Sequence, residues 1–184
     1  MIEVKLTPLY DFIRQNGAAL AVSAGEHLFR QGEDCDRLFL VQSGLLKAYY
    51  LRPDGREHVK SFVPAGAVIG SMVAASGEGA ATFSLIALEA ATLIALPYAR
   101  VEAAALGDLA LANGVIAFLS AYARRKEARE YELLCLPAEA RYRRAFESLG
   151  PLAARISQAD LAAYIGITPP ALSRLKKRIG PAAD

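Results

Sequence analysis

The 184-residue sequence has few of the residue types that build metal centres. It contains only two cysteines and two histidines, and Cys35 and Cys135 lie far apart without any C-x-x-C spacing. This excludes an iron–sulfur cluster ligated by cysteines of a single chain and fits a reducing compartment. A metal-dependent jelly-roll enzyme needs a His-x-His pair with further ligands, and the sequence has none. We therefore expect no metal, no cofactor and no enzymatic activity, with His27 and His58 as ordinary surface residues.

The sequence also lacks a long hydrophobic run. No stretch of about 18 residues is both apolar and free of charges, so no membrane span is predicted. The opening residues "MIEVKLTPLYDF" carry acids early and contain no apolar h-region, so we expect no signal peptide. Hydrophobic residues nonetheless make up 54% of the chain, which is enough to fill a core. These features predict a cytoplasmic globular protein without a membrane partner.

The formal net charge is small, at +2, but it is unevenly distributed. Residues 1–106 carry 9 Lys or Arg against 11 Asp or Glu, which gives −2. Residues 135–184 carry 8 Lys or Arg against 4 Asp or Glu, which gives +4. A basic excess confined to the last quarter of the chain is expected if only that part contacts phosphates.

Short apolar runs punctuated by glycine occupy the chain from Leu20 to Leu96. The dipeptide Asp54–Gly55 lies between "KAYYL" and "HVKSF" and predicts a tight hairpin turn, since both residues tolerate positive φ. Many short strands with regular turns predict a barrel or jelly roll. The preceding stretch "LTPLYDFIRQNG" predicts a short helix that ends at Gly17.

The spacing of apolar residues changes after Pro97. A stretch rich in Ala and Leu then runs without proline from Tyr98 to Leu136. This stretch predicts a long helix with an apolar stripe close to a heptad pattern. The stripe consists of Leu109, Ala112, Ile116, Leu119, Ala123, Ala128 and Leu133. Such a stripe fits either a helix packed on its own domain or a dimer-forming helix. A helix of about 25 residues spans roughly 40 Å, which is longer than a small barrel and favours the dimer.

The stretch "ISQADLAAYIGITPPALSRLKKRIG" predicts two short helices joined by a tight turn. Ser157 followed by Asp160 is typical of a capped helix start. Gly166 can adopt positive φ and turn the chain. The small Ala162, the turn glycine and the apolar Leu172 have the spacing of a helix–turn–helix.

The second helix of this pair is predicted to begin at its two prolines. Thr168 is a good N-cap, and Pro169 and Pro170 fall in the first turn, whose amides have no helical partner in any case. Arg174 can form a bidentate contact with a guanine edge, and Ser173 can bind a phosphate or a base. The basic residues that follow are suited to backbone phosphates. The candidate DNA-contacting residues are Thr168, Pro169, Pro170, Ser173, Arg174, Lys176, Lys177 and Arg178.

Together these segments resemble the CRP/FNR family of bacterial transcription regulators over nearly the whole chain. The stretch "GEHLFRQGEDCDRLFLVQSGLLKAYYLRPDGREHVKSFVPAGAVIG" resembles the family's effector-domain β-roll. The stretch "DLAAYIGITPPALSRLKK" resembles its helix–turn–helix, particularly in short members that end soon after the recognition helix. The resemblance implies an α+β fold with a double-stranded β-helix (a jelly roll like that of cyclic-nucleotide-binding domains) over residues 1–106. It further implies a dimerisation helix over 107–136 and a helix–turn–helix DNA-binding domain over 137–184.

The resemblance also implies a function. Members of this family are homodimers that bind palindromic sites on double-stranded DNA and regulate transcription, and RNA polymerase is a further candidate partner. The alternative is a binding module for a cyclic nucleotide or another small molecule, with weak or vestigial DNA binding. Because Pro169 and Pro170 replace polar base-reading side chains of the better-known members, the DNA site should differ from the family consensus.

The effector site departs from the family pattern. Cyclic-nucleotide-binding members carry a Gly-Glu-Leu-like turn, whose Glu holds the ribose, and an Arg that neutralises the cyclic phosphate. Here Ser71 takes the place of the Glu, and Ala81 takes the place of the Arg. Burying a phosphate without its guanidinium partner costs about 3–5 kcal/mol, so cAMP binding in the usual mode is not expected. The candidate pocket residues are Gly70, Ser71, Met72, Ala81 and Thr82. Either the roll packs without an effector or it binds an unknown small molecule.

Overall fold

In the computed structural model, which describes residues 2–179 and the side chains of residues 6–179, every strand precedes Tyr98, and helices occupy most of the residues that follow. The elements are α1 (Ile2–Asn16), β1 (Ala18–Val22), β2 (His27–Phe29), β3 (Arg37–Ser43), β4 (Leu45–Leu51), β5 (Glu57–Pro64), β6 (Val68–Ile69), α2 (Met72–Ala75), β7 (Ser84–Ala87), β8 (Ala91–Pro97), α3 (Tyr98–Ala105), α4 (Leu109–Cys135), α5 (Ala138–Leu149), a 3-10 helix (Gly150–Arg155), α6 (Gln158–Ile165) and α7 (Pro169–Ile179). The predicted domains are residues 1–106, 107–136 and 137–184, and residue 1 and residues 180–184 lie outside the described residues. This division of the chain into domains stays a prediction.

Two four-stranded antiparallel sheets enclose the main core. One has the strand order β1-β8-β3-β6, and the other has the order β2-β7-β4-β5. Strands distant in sequence therefore pair, as at Phe39 with Ala95 in the first sheet and Leu46 with Ala87 in the second. This exchange of strands between two sheets is that of a jelly roll. The predicted α+β roll is confirmed.

Aromatic rings fill the interior of the roll. Phe83 is fully buried, and its ring centroid lies 5.3 Å from that of Phe29 and 6.4 Å from that of Tyr50. Phe29 stacks in turn on Phe39, with 6.2 Å between centroids. Burying one such side chain contributes about 1.5–3 kcal/mol. The space around these rings is thus a packed core that joins both sheets.

The hairpin between β4 and β5 forms at the predicted dipeptide. Gly55 has a φ of +77°, which suits glycine, and its amide donates to the Arg52 carbonyl at 2.9 Å. The Asp54 carboxylate accepts a hydrogen bond from the Arg56 amide at 3.1 Å. The turn prediction is confirmed. It could be made from the sequence because its signal lay entirely in adjacent residues.

The proline-free stretch after Pro97 forms two helices rather than one. Helix α3 ends at Ala105, and Asp108 then caps α4 by accepting hydrogen bonds from the Ala110 amide at 2.9 Å and the Leu111 amide at 3.1 Å. Absence of proline permits a continuous helix but does not impose one, since an aspartate side chain can start a new helix. The second helix, α4, has 27 residues and is about 40 Å long.

Helix α4 has one buried and one exposed apolar face. Leu111 and Phe118 are buried in a cluster that also contains Leu9 of α1. On the opposite side Leu109 and Ile116 are 77% and 60% exposed. The predicted stripe is therefore split between the two faces: its exposed members are Leu109, Ile116, Ala123 and Ala128, and its half-buried members are Ala112, Leu119 and Leu133. The buried part of the stripe packs within its own chain, and the dimer interpretation of the exposed part stays a prediction.

The C-terminal helices pack on the outer side of the second sheet. Leu45 of β4 is fully buried in the same cluster as Leu161 and Ile165 of α6 and Leu172 of α7. The ring of Phe62 on β5 lies 5.4 Å from the ring of Tyr164, between centroids. These apolar contacts bring the helix pair against the roll and determine which side of α7 faces outward.

Candidate nucleic-acid interface and effector site

Helices α6 and α7 are joined by a turn over residues 166–168. The Ser157 hydroxyl caps α6 by accepting a hydrogen bond from the Asp160 amide at 3.0 Å. Gly166 follows α6 with a φ of +73°, in the left-handed region, and the Ile167 amide donates to the Ala162 carbonyl at 3.0 Å. The predicted cap and turn glycine are confirmed. They set the direction in which α7 leaves the turn.

Helix α7 begins at its two prolines and buries one side. The Thr168 hydroxyl accepts a hydrogen bond from the Ala171 amide at 3.4 Å, which is the role predicted for it. Pro169 is the first residue of the helix, where a missing N–H removes no helical bond. Leu172 and Leu175 are buried. The remaining side of the helix is available to a partner.

The outward side of α7 carries most of the predicted DNA-contacting residues. Its exposed members are Thr168, Pro169, Pro170, Ser173, Arg174, Lys177 and Arg178. Lys176 is half-buried and donates to a glutamine of α6, and Arg178 donates to Glu139 of α5 at 3.1 Å. The Arg174 and Lys177 side chains have no partner in the part of the chain whose side chains the structure describes, residues 6–179. The structure therefore gathers the candidate residues on one surface, where these two cations are free to bind an anion.

A lysine of the roll binds α6, and sequence reasoning missed it. Lys47 on β4 is only 8% exposed, and its Nζ donates to Asp160 Oδ1 at 2.8 Å and to Glu57 Oε2 at 2.7 Å. Burial alone would lower the pKa of Lys47, but the hydrogen bonds to Asp160 and Glu57 outweigh it and raise that pKa. Because Asp160 belongs to α6, this ion pair joins the roll to the helix pair. The only sequence signal was a charged residue inside the apolar strand "LLKAYYL".

Two arginines bind the carbonyl groups at the C-terminal end of α6. Arg129 of α4 donates to the Tyr164 carbonyl, and its guanidinium lies 4.1 Å from the centroid of the Tyr164 ring. Arg141 of α5 donates to the Ile165 carbonyl at 2.8 Å and to the Leu136 carbonyl at 2.7 Å. The last carbonyls of a helix lack helical partners and carry partial negative charge, so cations are stabilising there. The turn before α7 is thus held by both α4 and α5.

The predicted effector residues divide between the interior and the surface of the roll. Gly70, Ser71 and Ala81 are buried, Met72 is half-buried and Thr82 is exposed. Ser71 precedes α2, and in the described part of the chain its buried hydroxyl has no hydrogen-bond partner. The methyl group of Ala81 packs in the main core. Neither Ser71 nor Ala81 can supply the positive charge that a cyclic phosphate requires.

His27 and His58 are not the ordinary surface residues that the sequence predicted. Both are half-buried, and His27 Nε2 lies 2.9 Å from the Tyr49 hydroxyl. His58 on β5 faces the turn before α7, where a Cβ added at Gly166 would lie 3.6 Å from its Cε1. Burial, together with neighbouring arginines, lowers the pKa of both imidazoles. Strand periodicity did not reveal that other parts of the chain cover these positions.

The sequence predicts neither a metal site nor a membrane span, and the described residues can be searched for both. Among the described side chains, those of residues 6–179, no three His, Cys, Asp or Glu are grouped so that they could hold a metal ion. In the same range, no helix combines the length and apolar character needed to cross a membrane. The absence of a metal or cofactor stays a prediction.

Residues 19–108 match the family model of the cyclic nucleotide-binding domain. The matched range begins at the second residue of β1, covers the other seven strands and α2, and extends through α3. No curated protein matches the chain at a significant level.

Solved structures extend the similarity beyond the roll. FixK2 of Bradyrhizobium japonicum superposes with a TM-score of 0.78 at 20% identity, over 89% of this chain and 84% of that chain. The c-di-GMP responsive global regulator CLP of Xanthomonas campestris gives a TM-score of 0.76 at 18% identity, over 94% and 90% of the two chains. The catabolite activator protein of Thermus thermophilus gives 0.59 at 26% identity, over 92% and 81%. The fold is thus a cyclic-nucleotide-binding roll followed by a long helix, as in structures of CRP/FNR-family regulators.

Proposed function

We propose that this chain is a DNA-binding transcription regulator of the CRP/FNR type, in which α6 and α7 form a helix–turn–helix. The observation that carries the proposal is the outward side of α7. Ser173, Arg174 and Lys177 lie together there, exposed, on a helix whose other side is buried. A cationic helix face that protrudes from a packed domain fits the major groove, which admits one α-helix.

The residues of this face have separate roles in the proposal. Arg174 forms a bidentate contact with a guanine, and Ser173 contacts a base or a phosphate. Lys177 neutralises backbone phosphates, which contribute affinity without sequence information. Pro169 and Pro170 contact only apolar groups such as a thymine methyl. Base recognition therefore depends on fewer side chains than in a helix with polar residues at these two positions.

The exposed face of α4 supports a homodimer. Leu109, Ile116 and Leu134 on this face are 77%, 60% and 76% exposed, which is unusual for large apolar side chains on one side of a helix. Two copies of this face can pair as a short coiled coil and bury these side chains. A two-fold dimer of this kind would present two α7 helices to half-sites about 34 Å apart.

Selection from a pool of random DNA duplexes tests the proposal. We expect the full chain to enrich an inverted repeat whose half-site centres are about one helical turn apart. Affinity for the selected duplex should fall steeply with salt, because phosphate contacts release counterions. Arg174→Ala should weaken binding by about 10- to 100-fold, since a bidentate guanine contact contributes about 1–3 kcal/mol. Fluorescence anisotropy at several salt concentrations measures both effects.

Arg14→Ala is the matched control, because Arg14 is an exposed arginine on α1. Its affinity for the selected duplex should equal that of the wild type. No enrichment of any sequence from the pool would contradict the proposed function. Enrichment with unchanged affinity of Arg174→Ala would show that another surface reads the DNA.

The regulator is proposed to act without cAMP in the usual mode. Calorimetric titration of the full chain with cAMP or cGMP at micromolar concentrations should give no binding heat, because Ser71 and Ala81 provide neither a ribose-binding carboxylate nor a phosphate-binding cation. A titration with a neutral nucleoside sets the baseline. Tight binding of either cyclic nucleotide would contradict the roles assigned to these two positions.

A further inference from the structure

His58 on β5 lies where the roll meets the turn before α7. Its Cε1 lies 3.6 Å, and Nη2 of Arg141 lies 4.0 Å, from the position that a Cβ added at Gly166 would take. The imidazole is half-buried, and in the part of the chain whose side chains are described, residues 6–179, it has no hydrogen-bond partner. Its protonation therefore depends on burial and on the charges around it.

Burial and three arginines oppose a proton on His58. Burial has the largest effect, followed by Arg129 of α4, Arg52 of the β4–β5 hairpin and Arg141 of α5. Together they lower the pKa of His58 below its ordinary value, so the ring is neutral at neutral pH. The geometry at Gly166 shows the same conflict, because the imidazole and the Arg141 guanidinium lie beside the same residue of the turn.

The carboxylates of the surrounding elements already have cationic partners. Glu57 of β5 and Asp160 of α6 accept hydrogen bonds from Lys47 at 2.7 and 2.8 Å. Glu132 of α4 accepts one from Arg129 at 3.2 Å. The turn over residues 166–168 contains no ionisable side chain. Among the described side chains, a proton on the imidazole would therefore be stabilised by no free carboxylate at this joint.

The C-terminal end of α6 carries partial negative charge, but two arginines already occupy it. A protonated histidine is usually stabilised beside such a helix end. Here the Tyr164 carbonyl accepts a hydrogen bond from Arg129, and the Ile165 carbonyl accepts one from Arg141 at 2.8 Å. A third cation at this end would repel both guanidinium groups. Weakening their contacts would loosen the turn before α7.

We propose that His58 is a pH-sensitive switch between the roll and the helix pair α6–α7. The neutral ring packs against the turn, and the protonated ring favours release of the pair from β5. The sign follows from linkage: a base that is harder to protonate in the docked form takes up its proton on release, so acid favours release. The effect grows as pH falls below about 6.5, the ordinary pKa of histidine. An effect on DNA binding rests on the proposed function; release of the helix pair does not.

Hydrogen exchange of the backbone amides measures this release. The full chain is compared without DNA at about pH 7.5 and about pH 5.5, as protection factors that correct for the slower intrinsic exchange in acid. Protection of α6 and α7 should fall by about three- to tenfold at the lower pH, the range set by one proton on one histidine. Protection of β3 and β8 should be unchanged. Equal protection of α6 and α7 at both pH values would overturn the switch.

Two variants assign the effect to one histidine. His58→Gln places a polar side chain there that cannot be protonated, so α6 and α7 should be equally protected at both pH values. His27→Gln is the matched control, because His27 is the other histidine and is half-buried in the roll beside Tyr49. It should lose protection in acid as the wild type does. An undiminished loss in His58→Gln, or no loss in His27→Gln, would contradict the proposal.

NMR of the histidine side chains gives a second test that leaves position 58 unchanged. The chain has two histidines, so the spectrum of His27→Gln assigns both. The His58 signal should titrate below the ordinary pKa of histidine and over the pH range in which α6 and α7 lose protection. Titration of His58 at the ordinary pKa, or only after protection is lost, would contradict the switch.

The switch and the proposed function fail separately. Protection measured without DNA tests the switch alone, and selection of a duplex at neutral pH tests the function alone. If both hold, the affinity of the wild type for the selected duplex should fall between about pH 7.5 and about pH 5.5 relative to that of His58→Gln. If protection changes and no DNA is selected, the switch stands without a role in DNA binding. If DNA is selected and protection does not change, the regulator stands and this inference is wrong.

Discussion

Lys47→Met should lower the free energy of unfolding by about 3 kcal/mol, because removal of the lysine leaves the largely buried Asp160 carboxylate without a cation. The Asp160 side chain is only 19% exposed, and Glu57 is 39% exposed, so the larger share of the cost falls on Asp160. Methionine retains the apolar stem, which confines the effect to the charge. Urea denaturation of the full chain measures the change.

A double-mutant cycle separates this ion pair from general damage. Asp160→Asn and the double variant with Lys47→Met complete the cycle, and a coupling of at least about 1 kcal/mol between the two positions is expected for residues in direct contact. Lys177→Met, at an exposed and unpaired lysine, is the matched control and should change stability by less than about 0.5 kcal/mol. A Lys47→Met variant as stable as this control would contradict the role given to the ion pair.

Ile116→Glu should convert the proposed dimer into a monomer. Ile116 lies at the centre of the exposed face of α4, and in a two-fold dimer each copy would bring its new carboxylate against the apolar partner face. The monomer itself should remain folded, because Ile116 is exposed within one chain. Sedimentation should give the 19.7 kDa mass of one chain instead of twice that mass. Affinity for an inverted-repeat duplex should fall about 100-fold or more, since each half-site would then bind independently.

Ala110→Glu controls for the added charge. Ala110 is exposed on the same helix but lies about 120° around it from Ile116, outside the apolar face. This variant should remain dimeric and bind DNA as the wild type does. Dimerisation of Ile116→Glu at wild-type strength would show that another surface joins the copies.

Features that depend on neighbouring residues were predictable from the sequence. The Asp54–Gly55 turn, the Ser157 cap and the left-handed Gly166 each follow from the chemistry of one or two residues. The burial of Leu172 and Leu175 follows from helical periodicity. The start of α4 has a local signal too, in Asp108, whose side chain caps the helix.

Features that depend on how the roll and the helices meet were not predictable. Lys47 and Asp160 are 113 positions apart, and no pattern in either segment indicates the other. The contact of Lys60 on β5 with the Tyr122 ring of α4 likewise requires the position of that helix on the roll. The half-burial of His58 has the same origin, since α6 and the turn before α7 cover β5. Sequence periodicity identifies an inward face but not its partner.

Whether α7 reads DNA through Arg174 is tested by measuring how tightly matched variants bind the selected duplex. Wild type and Arg14→Ala should bind the selected duplex with the same affinity and lose that affinity as salt rises. Arg174→Ala should bind it about 10- to 100-fold more weakly and should discriminate less between the selected and a scrambled duplex. Equal affinity and equal discrimination by Arg174→Ala and the wild type would show that Arg174 does not read the DNA.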